Sequence, residues 1–177
     1  MSDIRLAHTA DLDRFTLDAA RVLLDTVFEG EFTDDDWDHS LGGMHALAYE
    51  GGALVGHAAV VSRRLIHDGR ALRTGYLEGM AVRADRQRRG IGGALMAEMV
   101  RIVRGGYELG ALSATEAGVP LYRATGWHRW SGATSALTPR GVERTPDDDG
   151  GVWVLPVAVR LHPGNELTCD WRGGDVW

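Results

Sequence analysis

Residues 75–100 read GYLEGMAVRADRQRRGIGGALMAEMV, and they fall into three parts. Tyr76 to Val82 is an apolar run. Arg83-Ala84-Asp85-Arg86-Gln87-Arg88-Arg89-Gly90-Ile91-Gly92 is a short, polar, Arg-rich loop. Ala94 to Val100 is composed of helix-favouring residues. A strand, a glycine-bearing loop and a helix in that order aim several backbone N–H groups at one point before a helix N-terminus. Gly90 and Gly92 carry no side chain, so an anion approaches the backbone closely. The arginines add diffuse positive charge. The pattern reads as a phosphate or pyrophosphate site, although a plain strand-to-helix turn has a similar composition.

Two common phosphate motifs do not fit this loop. A dinucleotide fingerprint places G-x-G-x-x-G directly after the strand, with an acid about 20 residues on. A P-loop ends in a Lys followed by Ser or Thr, and this chain contains no lysine: all 19 basic residues are arginine.

The 177 residues are expected to form a single domain, 1–177, long enough to bury a proper core. With 44% hydrophobic and 25% charged residues the composition is that of an ordinary soluble globular protein. No apolar run approaches the roughly 20 residues of a membrane span. Met1-Ser2-Asp3-Ile4-Arg5 lacks the basic-then-apolar order of a signal peptide. A cytoplasmic enzyme with no membrane partner is therefore expected. The lone Cys169 excludes an intrachain disulfide and a Cys-rich metal site, and no metal is expected. A net charge of −6 argues against nucleic acid as a partner. Acids gather at Asp34-Asp35-Asp36, at Asp147-Asp148-Asp149, and at Glu166, Asp170 and Asp175. Such runs suit solvated loops and helix caps, and equally a surface complementary to a cationic substrate.

In chain order, Ile4 to His8 alternates as a strand. Thr9 is placed to cap a helix reaching about Phe28, with Leu17, Val22, Leu23, Val27 and Phe28 as its apolar positions and Gly30 as its stop. Thr33 and Asp36 have capping-box spacing for a short second helix holding Trp37. Met44 to Glu50 and Ala53 to Arg64 read as strands joined at Gly51-Gly52. Ala71 to Val82 is the next strand. After the loop come a helix ending at Gly105-Gly106, a strand from Tyr107 to Ser113, and a helix whose better part is Pro120 to Thr125. Trp127 to Trp130 and Val152 to Val157 read as strands on either side of a Gly, Pro and Asp-rich excursion at 131–150.

Gln87-Arg88-Arg89-Gly90-Ile91-Gly92, preceded by Met80-Ala81-Val82, resembles the acyl-CoA signature of the GCN5-related N-acetyltransferases. The order of elements is also similar to that fold. The resemblance implies an α/β (α+β) chain with a mixed, mostly antiparallel central sheet flanked by helices. It implies acetyl-CoA as the cofactor, held by Met80, Ala81, Val82 and by Gln87 to Gly93.

Further stretches resemble the narrower family of aminoglycoside 2'-N-acetyltransferases. They are Gly42-Gly43-Met44-His45-Ala46-Leu47, Gly75 to Asp85, Thr145-Pro146-Asp147-Asp148-Asp149-Gly150 and the run from Cys169 to Trp177. That family implies a homodimer acetylating the 2'-amine of a cationic aminoglycoside. By the same resemblance Glu78 is the base, directly or through water, and Tyr122 is the acid for the departing thiolate. Gly79 permits a bulge, which frees the N–H of Met80 to polarise the acetyl carbonyl. Glu31, Asp36, Glu78, Ser113, Asp148, Asp175 and the terminal carboxylate of Trp177 are the implied substrate contacts. The family can carry Asp at position 31, where this chain has Glu31. Trp171 and Trp177 read either as covers for sugar faces or as packing of the C-terminal tail. Two other readings stay open: a cellular amino sugar or polyamine as the substrate, and a non-catalytic acyl-CoA-binding module.

Overall fold

The structure, a computed structural model, describes residues 3–177. Its elements are β1 (Asp3–His8), α1 (Arg14–Val27), α2 (Asp34–His39), β2 (Met44–Glu50), β3 (Ala53–His67), β4 (Arg70–Val82), α3 (Ile91–Gly106), β5 (Leu109–Ser113), α4 (Val119–Ala124), β6 (His128–Arg129), β7 (Thr134–Thr138), β8 (Gly141–Arg144), β9 (Val152–Pro156) and β10 (Leu167–Cys169). Two compact units emerge. The first runs to Val61 and resumes at Leu77–Arg101; the second comprises Ser62–Tyr76 and Ile102–Trp177. The long elements β3, β4 and α3 contribute residues to both.

In the first unit β1, β2 and the start of β3 form an antiparallel meander, with Leu6 opposite Ala46 and Ala46 opposite Ala58. Ala7, Leu12, Ala20 and Leu47 form a buried cluster against which Leu17, Trp37, Tyr49 and Leu54 pack, so α1 and α2 cover one face. Successive strand residues face opposite ways, and Ala48, next to Leu47, is paired with Gly56. A side chain at Gly56 would come within 3.0 Å of Leu95 and 3.2 Å of Ile91, so the opening turns of α3 lie on the other face.

Two expectations are corrected in α1. Its cap is Asp13, whose Oδ1 accepts the Thr16 N–H at 2.7 Å, and not Thr9. The chain first makes a short 3-10 turn at Thr9–Asp11, and the Thr9 hydroxyl is drawn into other bonds. Val22 is 63% exposed. Neighbouring helix positions point about 100° apart, and with Ala20, Leu23 and Leu24 buried Val22 faces outward. The capping box of α2 forms as its spacing predicts: Thr33 N–H donates to Asp36 Oδ2 at 2.8 Å and Asp36 N–H to Thr33 Oγ1 at 3.2 Å.

In the second unit the hydrogen-bonded order is β6-β9-β5-β4-β3-β10-β7-β8. Pairing is parallel at β4/β5 and β7/β10, and antiparallel at β5/β9, β6/β9, β3/β10 and β7/β8. Gly75 and Gly110 let Val103 of α3 approach: a side chain at either would meet it at 3.0 Å. Trp127, Trp130 and Trp153 fill the core. The 131–150 excursion is not irregular throughout; it holds the β7–β8 hairpin, Ser135 opposite Arg144. Leu167–Cys169 is a short strand beside β7.

Candidate active site

At the exit of β4 the Arg83 N–H donates to Val55 O at 2.9 Å, and the Gln87 amide nitrogen donates back to Val82 O at 3.1 Å. These bonds hold the loop to the strand end. Gly90 then takes φ 85°, a left-handed conformation suited to glycine, and its carbonyl accepts the Ala94 N–H at 3.0 Å as α3 begins. The first N–H groups of a helix have no intrahelical partner, so the backbone of Ile91, Gly92 and Gly93 presents donors ahead of the helix. Side chains at Gly90 or Gly93 would meet nothing within 4 Å, so both glycines open onto space. Asp85 takes up Arg83 at 2.6 Å and Arg86 at 2.7 Å, and Glu50 also holds Arg86 at 2.9 Å. Arg88 and Arg89 stay exposed, Arg89 4.0 Å from Glu50. Open backbone donors flanked by exposed guanidiniums fit a pyrophosphate.

Upstream, Glu78, Gly79 and Met80 are half-buried. Gly79 has φ 54°, a left-handed residue inside β4. A side chain there would come within 3.0 Å of Ser40 Oγ and 3.2 Å of the His57 ring, so space as well as conformation requires glycine. Ser40, the C-cap of α2, donates through Oγ to Asp36 O of the same helix at 3.1 Å.

Sequence reasoning missed the two histidines behind Gly79. His57 Nδ1 lies 2.7 Å from Gly79 O, His57 Nε2 2.9 Å from His45 Nδ1, and His45 Nε2 2.8 Å from Thr9 Oγ1. Both imidazoles are buried, and burial above all holds each down at about 4, so both are neutral at neutral pH. Carbonyl oxygens only accept. His57 therefore donates through Nδ1–H and accepts at Nε2, His45 donates through Nδ1–H and accepts at Nε2, and the Thr9 hydroxyl donates. The Gly42 N–H donates to the Thr9 oxygen at 2.9 Å. Nothing local signals this chain, because its members are spread from position 9 to position 79.

Tyr122, on α4, is 6% exposed, and burial pushes its phenol up to about 12. Its ring lies over Gly118, where a side chain would meet it at 2.6 Å. The phenol keeps its proton through neutral pH. Ser113 sits exposed at the end of β5.

The acids separate into different roles. Asp149 is held at about 2 by Arg144 at 2.8 Å and by the Thr134 hydroxyl and N–H, each at 2.8 Å. Asp148 moves the other way: burial, then the charge of Asp175, raise its carboxyl above the usual range. Asp148 and Asp175 thus form a pair of like charges. Glu31 is exposed after the left-handed turn at Glu29 and Gly30, and Asp36 is half-buried with Oδ2 engaged in its cap. Trp177 is 2% exposed and its Nε1–H donates to Thr145 Oγ1 at 2.9 Å, so its indole packs the tail; Trp171 is 53% exposed. His67, Asp68 and His162 bring potential metal ligands within 4.8 Å. The ring of His67 is already used, however, at Nδ1 by Glu166 O and at Nε2 by the His162 N–H.

A strand broken by a left-handed glycine, a loop with open backbone donors and a helix after it suit a ligand that carries a phosphate next to an acyl group. The sequence model of the acetyltransferase (GNAT) domain matches residues 4–130, and the chain belongs to that family. It is 50% identical over 177 residues to the aminoglycoside 2'-N-acetyltransferase of Mycolicibacterium fortuitum, covering 98% of this chain and 91% of that protein. Among solved structures it is similar to the GNAT family N-acetyltransferase YhbS of Escherichia coli in complex with CoA, with TM-score 0.65, 16% identity, and coverage of 95% of this chain and 89% of that one. It is also similar to Eis1 of Mycobacterium abscessus, with TM-score 0.60, 23% identity and 76% of this chain covered, although the match spans only 32% of that longer chain. GNAT acetyltransferases use acetyl-CoA.

Proposed function

We propose that this protein acetylates the 2'-amino group of aminoglycoside antibiotics. The observation that carries the reading is the 50% identity, over 98% of the chain, to a protein named for that reaction. Acetyl-CoA supplies the acetyl group as a thioester, ready for attack by an amine. Residues 87–93 hold its pyrophosphate, with Met80, Ala81 and Val82 along the strand beside its pantetheine arm. The Met80 N–H, past the turn at Gly79, donates to the acetyl carbonyl and stabilises the negative charge that develops there. Glu78 takes the proton of the substrate ammonium, directly or through water. The amine nitrogen bonds to the carbonyl carbon, the carbon–sulfur bond breaks, Tyr122 gives its proton to the sulfur, and the second proton lost from the amine nitrogen replaces it on Tyr122 through solvent. Asp148 and Asp175 receive ammonium groups of the substrate, with Glu31, Asp36 and Ser113 as further contacts. A like-charge pair that raises one member's pKa is stabilised by a bound cation.

We read residues 1–177 as one catalytic domain, of which the family match takes in 4–130. No helix among the described residues is long and apolar enough to cross a membrane. We place the enzyme in the cytoplasm, where acetyl-CoA is supplied, as a homodimer like the family it resembles.

The test is a thiol-release assay with acetyl-CoA across aminoglycosides with and without a 2'-amine, and with polyamines. Turnover confined to compounds bearing the 2'-amine supports the reading. Equal turnover on compounds lacking it, or on polyamines alone, sinks it.

A further inference from the structure

The carbonyl of Gly79 and the N–H of Met80 belong to one peptide unit. That unit is planar and trans, so its oxygen and hydrogen point in opposite directions. Whatever holds the oxygen also aims the hydrogen. His57 holds the oxygen at 2.7 Å, from a fully buried ring. The grip is directional only if His57 keeps its proton on Nδ1. The Gly79 carbonyl, which only accepts, selects that tautomer, and the chain sustains it: His45 donates to His57 Nε2 at 2.9 Å, and the Thr9 hydroxyl, 3.3 Å from Gly43 O, donates to His45 Nε2 at 2.8 Å. Gly79 is the residue that most needs the grip, because a left-handed glycine inside a strand has more alternative conformations than any other residue would.

We propose that His57, held in one tautomer by its place in the chain from Gly79 through His45 to Thr9, is a positioning residue for acetyl transfer: it pins the Gly79 carbonyl and so aims the Met80 N–H at the acetyl carbonyl. The inference rests on the reading of the Met80 N–H as the donor to that carbonyl. All five residues lie in the first unit, and the chain Thr9–His45–His57–Gly79 ends one atom pair away from the group it serves. A packing role alone would need no particular tautomer; two imidazoles and a hydroxyl whose donors all point the same way supply one.

The test uses acetyl-CoA isotopically labelled at the acetyl carbonyl, bound without aminoglycoside, with the carbonyl stretch read by infrared difference spectroscopy alongside kcat and KM. In the wild type the stretch lies below its value in solution. In His57→Leu it returns towards the solution value, and kcat falls about 10- to 100-fold, as for a misaimed oxyanion donor, with KM for acetyl-CoA unchanged. His57→Asn keeps an N–H near the position of Nδ1 and restores both readouts. Thr9→Val, remote and mild, gives a partial loss of both and serves should His57→Leu fail to fold. An unshifted stretch in the wild type overturns the reading of Met80, and the inference with it. A shifted stretch that survives in His57→Leu or Thr9→Val with kcat unchanged overturns the inference alone, as does a His57→Asn enzyme no better than His57→Leu.

Discussion

Arg63 Nε donates to Asp170 Oδ1 at 2.7 Å, and the same guanidinium reaches Asp170 O at 3.0 Å and Val176 O at 2.8 Å. It also lies 4.6 Å above the Tyr76 ring. One arginine on β3, 5% exposed, thereby fastens the last residues of the chain. Asp170→Ala leaves that charge with two backbone carbonyls and the face of the Tyr76 ring. The loss of a charge-assisted hydrogen bond costs about 1.5–3 kcal/mol, a fall in Tm on the order of 3–12 °C for a chain of this size. Hydrogen exchange should quicken at 170–177. An unchanged Tm would show that the backbone carbonyls alone anchor the tail.

Asp148 gives a pH prediction. Its folded pKa is raised, by burial and by Asp175. Between the ordinary carboxylate value and the raised one, the folded state holds more protons than the unfolded state, so stability falls as pH rises through that window. Asp148→Asn is therefore expected to stabilise the fold at neutral pH while weakening aminoglycoside binding. In the wild type that affinity should decline on acidification as Asp148 protonates, and calorimetric titration from about pH 4 to 7 reads the decline. A variant that binds as tightly as wild type removes Asp148 from the substrate site.

Gly90 has φ 85° and opens onto the space before α3. Gly90→Val forces a β-branched residue into a left-handed conformation, at about 1–3 kcal/mol. KM for acetyl-CoA should rise by roughly tenfold or more, with the aminoglycoside affinity little changed. An unaltered KM would move the pyrophosphate elsewhere.

Tyr122, held at about 12 by burial, remains protonated across the working range. Tyr122→Phe should lower kcat with little change in binding, and the wild-type rate should show no alkaline limb from this phenol below about pH 11. A change in binding alone would make Tyr122 a packing residue. Glu78→Gln should slow turnover by about 10²- to 10⁴-fold, most at low pH, where more substrate amine carries a proton. Wild-type rates throughout would rule out Glu78 as the base.

Where the deciding contacts are local, the sequence by itself determined the outcome. The strand, Arg-rich loop and helix of residues 75–100, the Thr33–Asp36 capping box and the Gly51-Gly52 turn all depend on partners a few positions apart, so spacing encodes them. The run Asp147-Asp148-Asp149 shows the opposite case. Three adjacent acids look alike in sequence, yet Arg144 and Thr134 hold Asp149 ionised while burial, and then Asp175, disfavour the charge of Asp148. Thr9 reads as a helix cap because its side chain suits one, but folding places it 2.8 Å from His45, and Asp13 takes the cap. The strand at Leu167–Cys169 is too short for a period to show, and it exists because β7 and β3 flank it. The orientation of Met80's peptide depends on His57, 22 residues before Gly79. Only tertiary structure decides such contacts, because a residue's charge state, tautomer and free donors are set by neighbours that the chain's order does not name.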